Sequence, residues 1–253
     1  MNRMSSVFLF PGQGSQSVGM MADLAAHHPQ VRESFDTASK VLGFDLWDLA
    51  QQGPAERLAL TEITQPLMLV AGVATWRVWR AVGGSDPTWV AGHSLGEFSA
   101  LVAAGVLDFA EAVDLVRFRG EVMRDAVPDG QGGMAAVIGL DDAALIEACR
   151  EAAGDQVAEA VNFNAPGQVV IAGHVEALRR AIEAAKARGA KRALPLPISV
   201  PCHSSLMQPA AERLRERLRS CSLVAPSIRF LSSVDATEYR DPERIRDLLY
   251  RQL

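Results

Sequence analysis

The chain is poor in cysteine. Cys149, Cys202 and Cys221 are its only three, far apart and without a CxxC pair, which excludes a disulfide framework and a cysteine metal knuckle and fits a reducing cytoplasm. Positive charge is short as well: Lys and Arg number 25 against 30 Asp and Glu, a net −5 at pH 7, so nothing favours nucleic acid. No run approaches the ~18 apolar residues of a membrane span. The amino-terminal apolar stretch, Val7-Phe-Leu-Phe10, is too short for a signal-peptide core. Internal repeats and low-complexity tracts are absent. What is present, 253 residues with 49% hydrophobic and 22% charged, describes a compact soluble enzyme of one large domain, or one domain carrying an insertion.

Val7 to Phe10 predicts a short buried strand, broken by Pro11-Gly12 and followed by the polar loop Gln13-Gly-Ser-Gln-Ser17. Helical periodicity covers Val31–Leu42 and Glu56–Leu60, and a further helix with Pro66 near its first position runs to Trp79 before Gly83-Gly84. Trp89–Ala91 reads as a central strand, Glu97–Ala104 as its helix, and Asp108 to about Ala126 as another helix. After Pro128-Asp-Gly-Gln-Gly-Gly133 the order becomes β-α-β-β-α-β: strands at 134–138, 157–163, 168–172 and 191–196, helices at 141–153 and 175–188. That is the ferredoxin-like split unit. The expected architecture is α/β, a discontinuous core of mainly parallel sheet at 1–127 and 199–253 with an inserted subdomain at 128–198.

The chemistry centres on Gly92-His93-Ser94-Leu95-Gly96, between strand and helix. A strand turning sharply through Gly-x-Ser-x-Gly lifts the serine hydroxyl out of the bend, and the helix start aims unpaired N–H groups at an oxyanion forming beside it. Chance alone yields this pattern in roughly one chain in ten of this length, so context has to carry it. His203, in a loop after a strand, is the best available base for Ser94; the plainer alternative is a surface histidine. No acid stands out as its partner. Gly12, Gly14 and Gly19 have the wrong spacing for GxGxxG, which leaves the Gln13 loop either as a source of a second oxyanion donor or as an ordinary turn. Arg119, in Val116-Arg-Phe-Arg-Gly120, can grip a carboxylate in two prongs or remain a solvated charge. Glu97 is suited to capping the elbow helix. Arg179, Arg180, Lys186, Arg188, Lys191 and Arg192 form either a basic docking face or a solvated helix face.

Five ordered blocks together resemble the malonyl-CoA:acyl carrier protein transacylase family: Phe10-Pro-Gly-Gln-Gly-Ser-Gln16, Gly92-His-Ser-Leu-Gly-Glu97, Arg119-Gly120, Asn162-Phe-Asn-Ala-Pro-Gly-Gln168 and Ser199-Val-Pro-Cys-His203. The resemblance runs along almost the whole chain. It implies a hydrolase-like core with a ferredoxin-like insertion and a cleft between them. Ser94 becomes the nucleophile, His203 the general base and acid, and the backbone amides of Gln13 and Leu95 the oxyanion hole. Arg119 anchors the malonyl carboxylate, Asn162 lines the substrate site, and Gln252 falls where the family supplies a carbonyl that orients the histidine. The implied partners are malonyl-CoA and an acyl carrier protein. No cofactor or metal is expected, since the coenzyme A thioester is itself the substrate, and the location is the cytoplasm. Family members continue beyond the Arg-Gln-Leu segment with a Gly-Pro-Gly motif, so a form ending at Leu253 is expected to be truncated. Alternatives within this chemistry are a polyketide synthase acyltransferase and the malonyl-transfer subunit of a malonate decarboxylase. A lipase or esterase leaves Arg119 and the Asn-Ala-Pro-Gly-Gln block idle, and a non-catalytic carrier-binding module is the different-class alternative.

Overall fold

The computed structural model describes residues 6–198 and 200–253; Ser199, the first residue of one motif, lies outside them. The described residues form two compact units, one within 1–121 together with 214–252, the other within 122–213 together with Leu253. The first is built on a four-stranded mixed sheet in the order β1 (Val7–Phe10), β2 (Trp89–Gly92), β7 (Arg229–Leu231), β8 (Glu238–Tyr239). β1, β2 and β7 run parallel, and β8 returns antiparallel to β7. The expected buried strand at β1 is instead the sheet edge, with Val7 at 51% and Leu9 at 75% exposed. An edge strand has a neighbour on one side only, which leaves part of its apolar pattern uncovered.

Before β2 the chain forms α1 (Ala22–His27), α2 (Pro29–Leu42), α3 (Leu46–Gln52), α4 (Ala55–Leu58) and α5 (Thr61–Ala81). α5 begins five residues earlier than its sequence suggested, so Pro66 is interior rather than at the first position. An interior proline costs ~3 kcal/mol. Against that, Leu67, Met68, Leu69, Val70, Val73 and Ala74 are all buried along the same helix, and each large apolar side chain contributes ~1.5–3 kcal/mol. Burial therefore wins, helped at the helix start by Thr64 Oγ1, which donates to Leu58 O and Leu60 O. α6 (Gly96–Ala103) follows β2, and α7 (Phe109–Asp125) carries the chain into the second unit.

The second unit follows its expected order closely: β3 (Gly132–Ile138), α8 (Asp142–Ala153), β4 (Ala158–Ala165), β5 (Gln168–His174), α9 (Val175–Ala187), β6 (Arg192–Pro195). Its sheet is antiparallel in the order β4-β5-β3-β6. Asp141 caps α8 by accepting from Ala143 N and Ala144 N, which fixes where the strand gives way to helix. Alternate residues of β3 and β5, Ala135, Val137, Val169 and Ile171, pack with Leu145, Cys149, Leu178 and Ile182 of the two helices. This period-2 stripe against period-3.6 stripes is why the segment was legible. A short 3-10 turn, Ser205–Met207, precedes α10 (Gln208–Arg219), and α11 (Pro242–Gln252) is the last described element. No described helix is long and apolar enough to cross a membrane.

Candidate active site

Parallel pairing sets Phe10 of β1 opposite Gly92 of β2. The loops leaving both strands therefore emerge side by side at the carboxyl edge of the sheet, where open α/β sheets bind ligands. His93 N donates to Phe10 O at 3.0 Å, tying the elbow to the neighbouring loop. Ser94 is held at φ 50°, a left-handed conformation that costs a non-glycine residue ~1–3 kcal/mol and signals a functional turn. Gly96 N then donates to His93 O at 2.9 Å and Glu97 N to Ser94 O at 3.0 Å, closing the turn into α6. A Cβ on Gly96 would stand 2.1 Å from Phe10 O, so only glycine lets the elbow approach β1 this closely. Among the described residues the backbone N–H groups of Gln13 and Leu95 have no hydrogen-bond partner, as an oxyanion hole requires. The Gln13 side chain exchanges bonds with Thr61 Oγ1 at 3.1 and 3.3 Å, fastening its loop to α5.

Arg119 lies on the apolar stripe of α7, with Ala112, Val116 and Met123, and is 0% exposed. A lone buried guanidinium is expensive unless its donors are met. Its Nη1 donates to Gln65 Oε1 at 2.8 Å, and its Nη2 to Gln252 Oε1 at 3.1 Å and Ser94 Oγ at 3.3 Å. Gly120 makes this reach possible: a Cβ there would stand 2.5 Å from Glu62 Cα, so α7 comes against the start of α5 and brings Arg119 to Gln65. Arg119 is thus a buried, hydrogen-bonded group and not the solvated charge that was the alternative.

Glu97 does not cap its helix. It is 0% exposed; one carboxylate oxygen, Oε2, accepts from Ser233 Oγ at 2.7 Å and from Gln252 Nε2. α6 carries it inward, because the elbow starts the helix at Gly96 and turns position 97 toward the loop that follows β7. Burial pushes its carboxyl above the usual carboxylate range, against the opposing hydrogen bonds from Ser233, Gln252 and Ser232. Gln252 Nε2 also donates to Ser94 O at 3.0 Å. Sequence reasoning missed Gln65 and Ser233. Gln65 sat before the proline thought to begin the helix, and Ser233 follows a strand of three residues.

His203 and Asn162 belong to the second unit. His203 adopts φ 65° in the turn before Ser205–Met207 and is half-buried. The turn is tied down by Glu159 of β4, whose oxygens accept from Ser205 N at 2.7 Å and Ser205 Oγ at 2.8 Å, and by Ser204 Oγ donating to Pro201 O at 2.7 Å. Asn162, also half-buried, follows a bulge in β4 where Val161 is the extra residue between the Ala160–Ile171 and Asn162–Val170 pairs. Bulges re-aim side chains beside functional sites. The basic cluster is largely committed: Arg179 pairs with Glu176, Lys186 with Glu183 and Arg188 with Glu151, while Arg180 donates to Ala152 O and Ala153 O. That favours the solvated-face reading.

Residues 7–250 match the acyl transferase domain family. The malonyl CoA-acyl carrier protein transacylase of Salmonella typhimurium is 58% identical over 246 residues, covering 97% of this chain and 80% of the relative. Its Bacillus subtilis namesake is 43% identical over 247 residues, covering 97% and 78%. Among solved structures, the Coxiella burnetii transacylase matches with a TM-score of 0.97 at 48% identity, over 98% of this chain and 79% of that one. A malonyl-transacylase solved in complex with its type II PKS acyl-carrier protein matches with a TM-score of 0.97 at 53% identity, over 98% and 81%.

Proposed function

The chain belongs to the acyl transferase domain family, and from that membership we propose that it is a malonyl-CoA:acyl carrier protein transacylase acting through an acyl-serine at Ser94. The Ser94 hydroxyl attacks the thioester carbonyl of malonyl-CoA while its proton passes to His203. The oxyanion collects the N–H groups of Gln13 and Leu95, each worth ~2.7–4 kcal/mol of barrier. Collapse breaks the C–S bond, and coenzyme A leaves as a thiol with the proton from His203. The carrier protein's phosphopantetheine thiol then gives its proton to His203 and attacks the malonyl ester; the C–O bond to Ser94 breaks, and Ser94 Oγ takes the proton back from His203. In this scheme the Gln252 backbone carbonyl orients the imidazole, as the family resemblance implies, and Asn162 contributes to the acyl site. Only side chains and backbone donors are used, and the coenzyme A thioester enters as substrate rather than as a cofactor.

One observation carries the assignment: a fully buried arginine whose guanidinium donates to the elbow serine at 3.3 Å. A simple esterase has no use for that charge, whereas an acyl group ending in a carboxylate does. We read 128–198 as a ferredoxin-like insertion, supported by the strand order β4-β5-β3-β6, and 1–127 with 199–253 as a hydrolase-like core, supported by the parallel strands and elbow. The route served is fatty acid biosynthesis. A polyketide carrier is the second acceptor to test, favoured by the 53%-identical relative solved with one. With Cys149, Cys202 and Cys221 all free thiols, the cytoplasm suits the reading. Incubation with malonyl-CoA should add one malonyl group by intact mass to the protein but not to Ser94→Ala; no adduct on folded protein rejects the proposal.

A further inference from the structure

Gln252 is a relay between two buried ionisable groups. Its amide oxygen accepts from Arg119 Nη2 at 3.1 Å, and its amide nitrogen donates to Ser94 O at 3.0 Å and to Glu97 Oε2. A carboxamide has one accepting and one donating end, so whatever fixes the nitrogen also fixes the oxygen. Two acceptors on one side, Ser94 O and Glu97 Oε2, hold the nitrogen there and leave the oxygen facing the guanidinium. Ser94 O also accepts from Glu97 N and is fixed by the elbow backbone, so Glu97 Oε2 is the acceptor of the amide that belongs to a side chain. Glu97 is in turn pinned by Ser233 Oγ at 2.7 Å, from the loop after β7. Its other oxygen, Oε1, is buried without a hydrogen-bond partner, a cost of the kind that a purely structural site tends to shed.

The geometry points to Glu97 as a positioning residue that, through the amide of Gln252, sets the pose of Arg119 and thereby the preference for acyl groups ending in a carboxylate. The inference rests on the transacylase reading above. It holds with or without a proton on the carboxyl, because Oε2 accepts in either state. Loss of that acceptor frees the Gln252 amide to invert and present N–H groups to the guanidinium, a like-signed contact that turns Arg119 away from the acyl carboxylate. A glutamine at 97 keeps one accepting oxygen and preserves the arrangement.

The test measures Ser94 acylation by malonyl-CoA and by acetyl-CoA for the full chain, Glu97→Met and Glu97→Gln, with melting curves to establish folding. Glu97→Met should lose about 10- to 100-fold in kcat/KM for malonyl-CoA, the effect of one misdirected charge-assisted bond. Acetyl-CoA should change by less than about threefold, and Glu97→Gln should recover most of the malonyl rate. Equal losses on both thioesters, no loss on either, or no recovery with glutamine overturns the inference. Should Glu97→Met fail to fold, Glu97→Asp withdraws the carboxylate by one methylene and must show the same substrate-dependent loss; equal rates on the two thioesters then overturn it. Failure of the unaltered chain to take up malonyl would instead defeat the transacylase reading, so the two failures are distinguishable.

Discussion

Replacing Arg119 by lysine keeps the positive charge and removes the planar fork, which makes it a direct measure of what the guanidinium does. In the structure two nitrogens of one buried group reach three oxygens, Gln65 Oε1 at 2.8 Å, Gln252 Oε1 at 3.1 Å and Ser94 Oγ at 3.3 Å. A compact ammonium on a flexible stem cannot span both amides and also grip a carboxylate through two parallel bonds. At least one charge-assisted bond to the malonyl group is therefore lost, worth ~1.5–3 kcal/mol. No screening discount applies, because the residue is 0% exposed. The expected fall in kcat/KM for malonyl-CoA is about 10- to 150-fold, at 1.36 kcal/mol per decade. Acetyl-CoA, with no carboxylate to lose, should load Arg119→Lys within about threefold of the original rate. Rapid-quench acylation followed by intact mass reads both. A folded Arg119→Lys protein that loads malonyl as fast as before, or slows on both thioesters alike, refutes the argument.

Gly96→Ala places a methyl 2.1 Å from Phe10 O; it should cost ~1–3 kcal/mol by thermal denaturation and, by spreading the Gln13 loop from the Ser94 elbow, slow acylation by about 100-fold. An unchanged acylation rate in the folded variant would show that the loops do not cooperate. Glu159→Ala frees the turn that carries His203, held by bonds of 2.7 and 2.8 Å, and should lower kcat by about 10- to 100-fold with little change in KM; a change confined to KM counts against a positioning role. For Glu97 the folded carboxyl titrates above its ordinary 4.5 because of burial. Folded chains then hold a proton that unfolded ones have released, so its contribution is complete below pH 4.5 and drains away as pH rises through the folded value. Relative to Glu97→Gln, urea denaturation should show stability falling with pH by up to about 1.4 kcal/mol per unit over that window; parallel profiles would contradict it.

The elements that sequence periodicity reached were those whose burial pattern is local. β3 through β6 with α8 and α9 fell within a few residues of their observed ends because each strand alternates and each helix carries its own stripe. β7 escaped because three residues, Arg229–Leu231, give alternation nothing to repeat. α11 was legible in principle: Ile245, Leu248, Leu249 and Gln252 fall at i, i+3, i+4 and i+7, after Pro242 in the first turn. That stripe would also have marked Gln252 as an inward-facing amide. Pro66 misled because the start rule weighs a proline more heavily than the buried residues on either side of it.

The site was legible by half for a related reason. Ser94 announces itself through a backbone requirement, a turn that glycines permit, and such requirements are written in adjacent residues. The setting of Arg119 depends instead on α7 closing against α5 at Gly120, and on Gln65 and Gln252, which stand 54 and 133 positions away from it in the chain. A buried charge on an apolar stripe says that a partner exists without saying which one. The parallel register of β1, β2 and β7 sets part of that neighbourhood. It delivers the Gln13 loop, the Ser94 elbow and the Ser233 loop to one edge of a single sheet, so that Glu97, the second residue of α6, meets Ser233. The surroundings of Ser94 are on that account a property of strand order as much as of any motif.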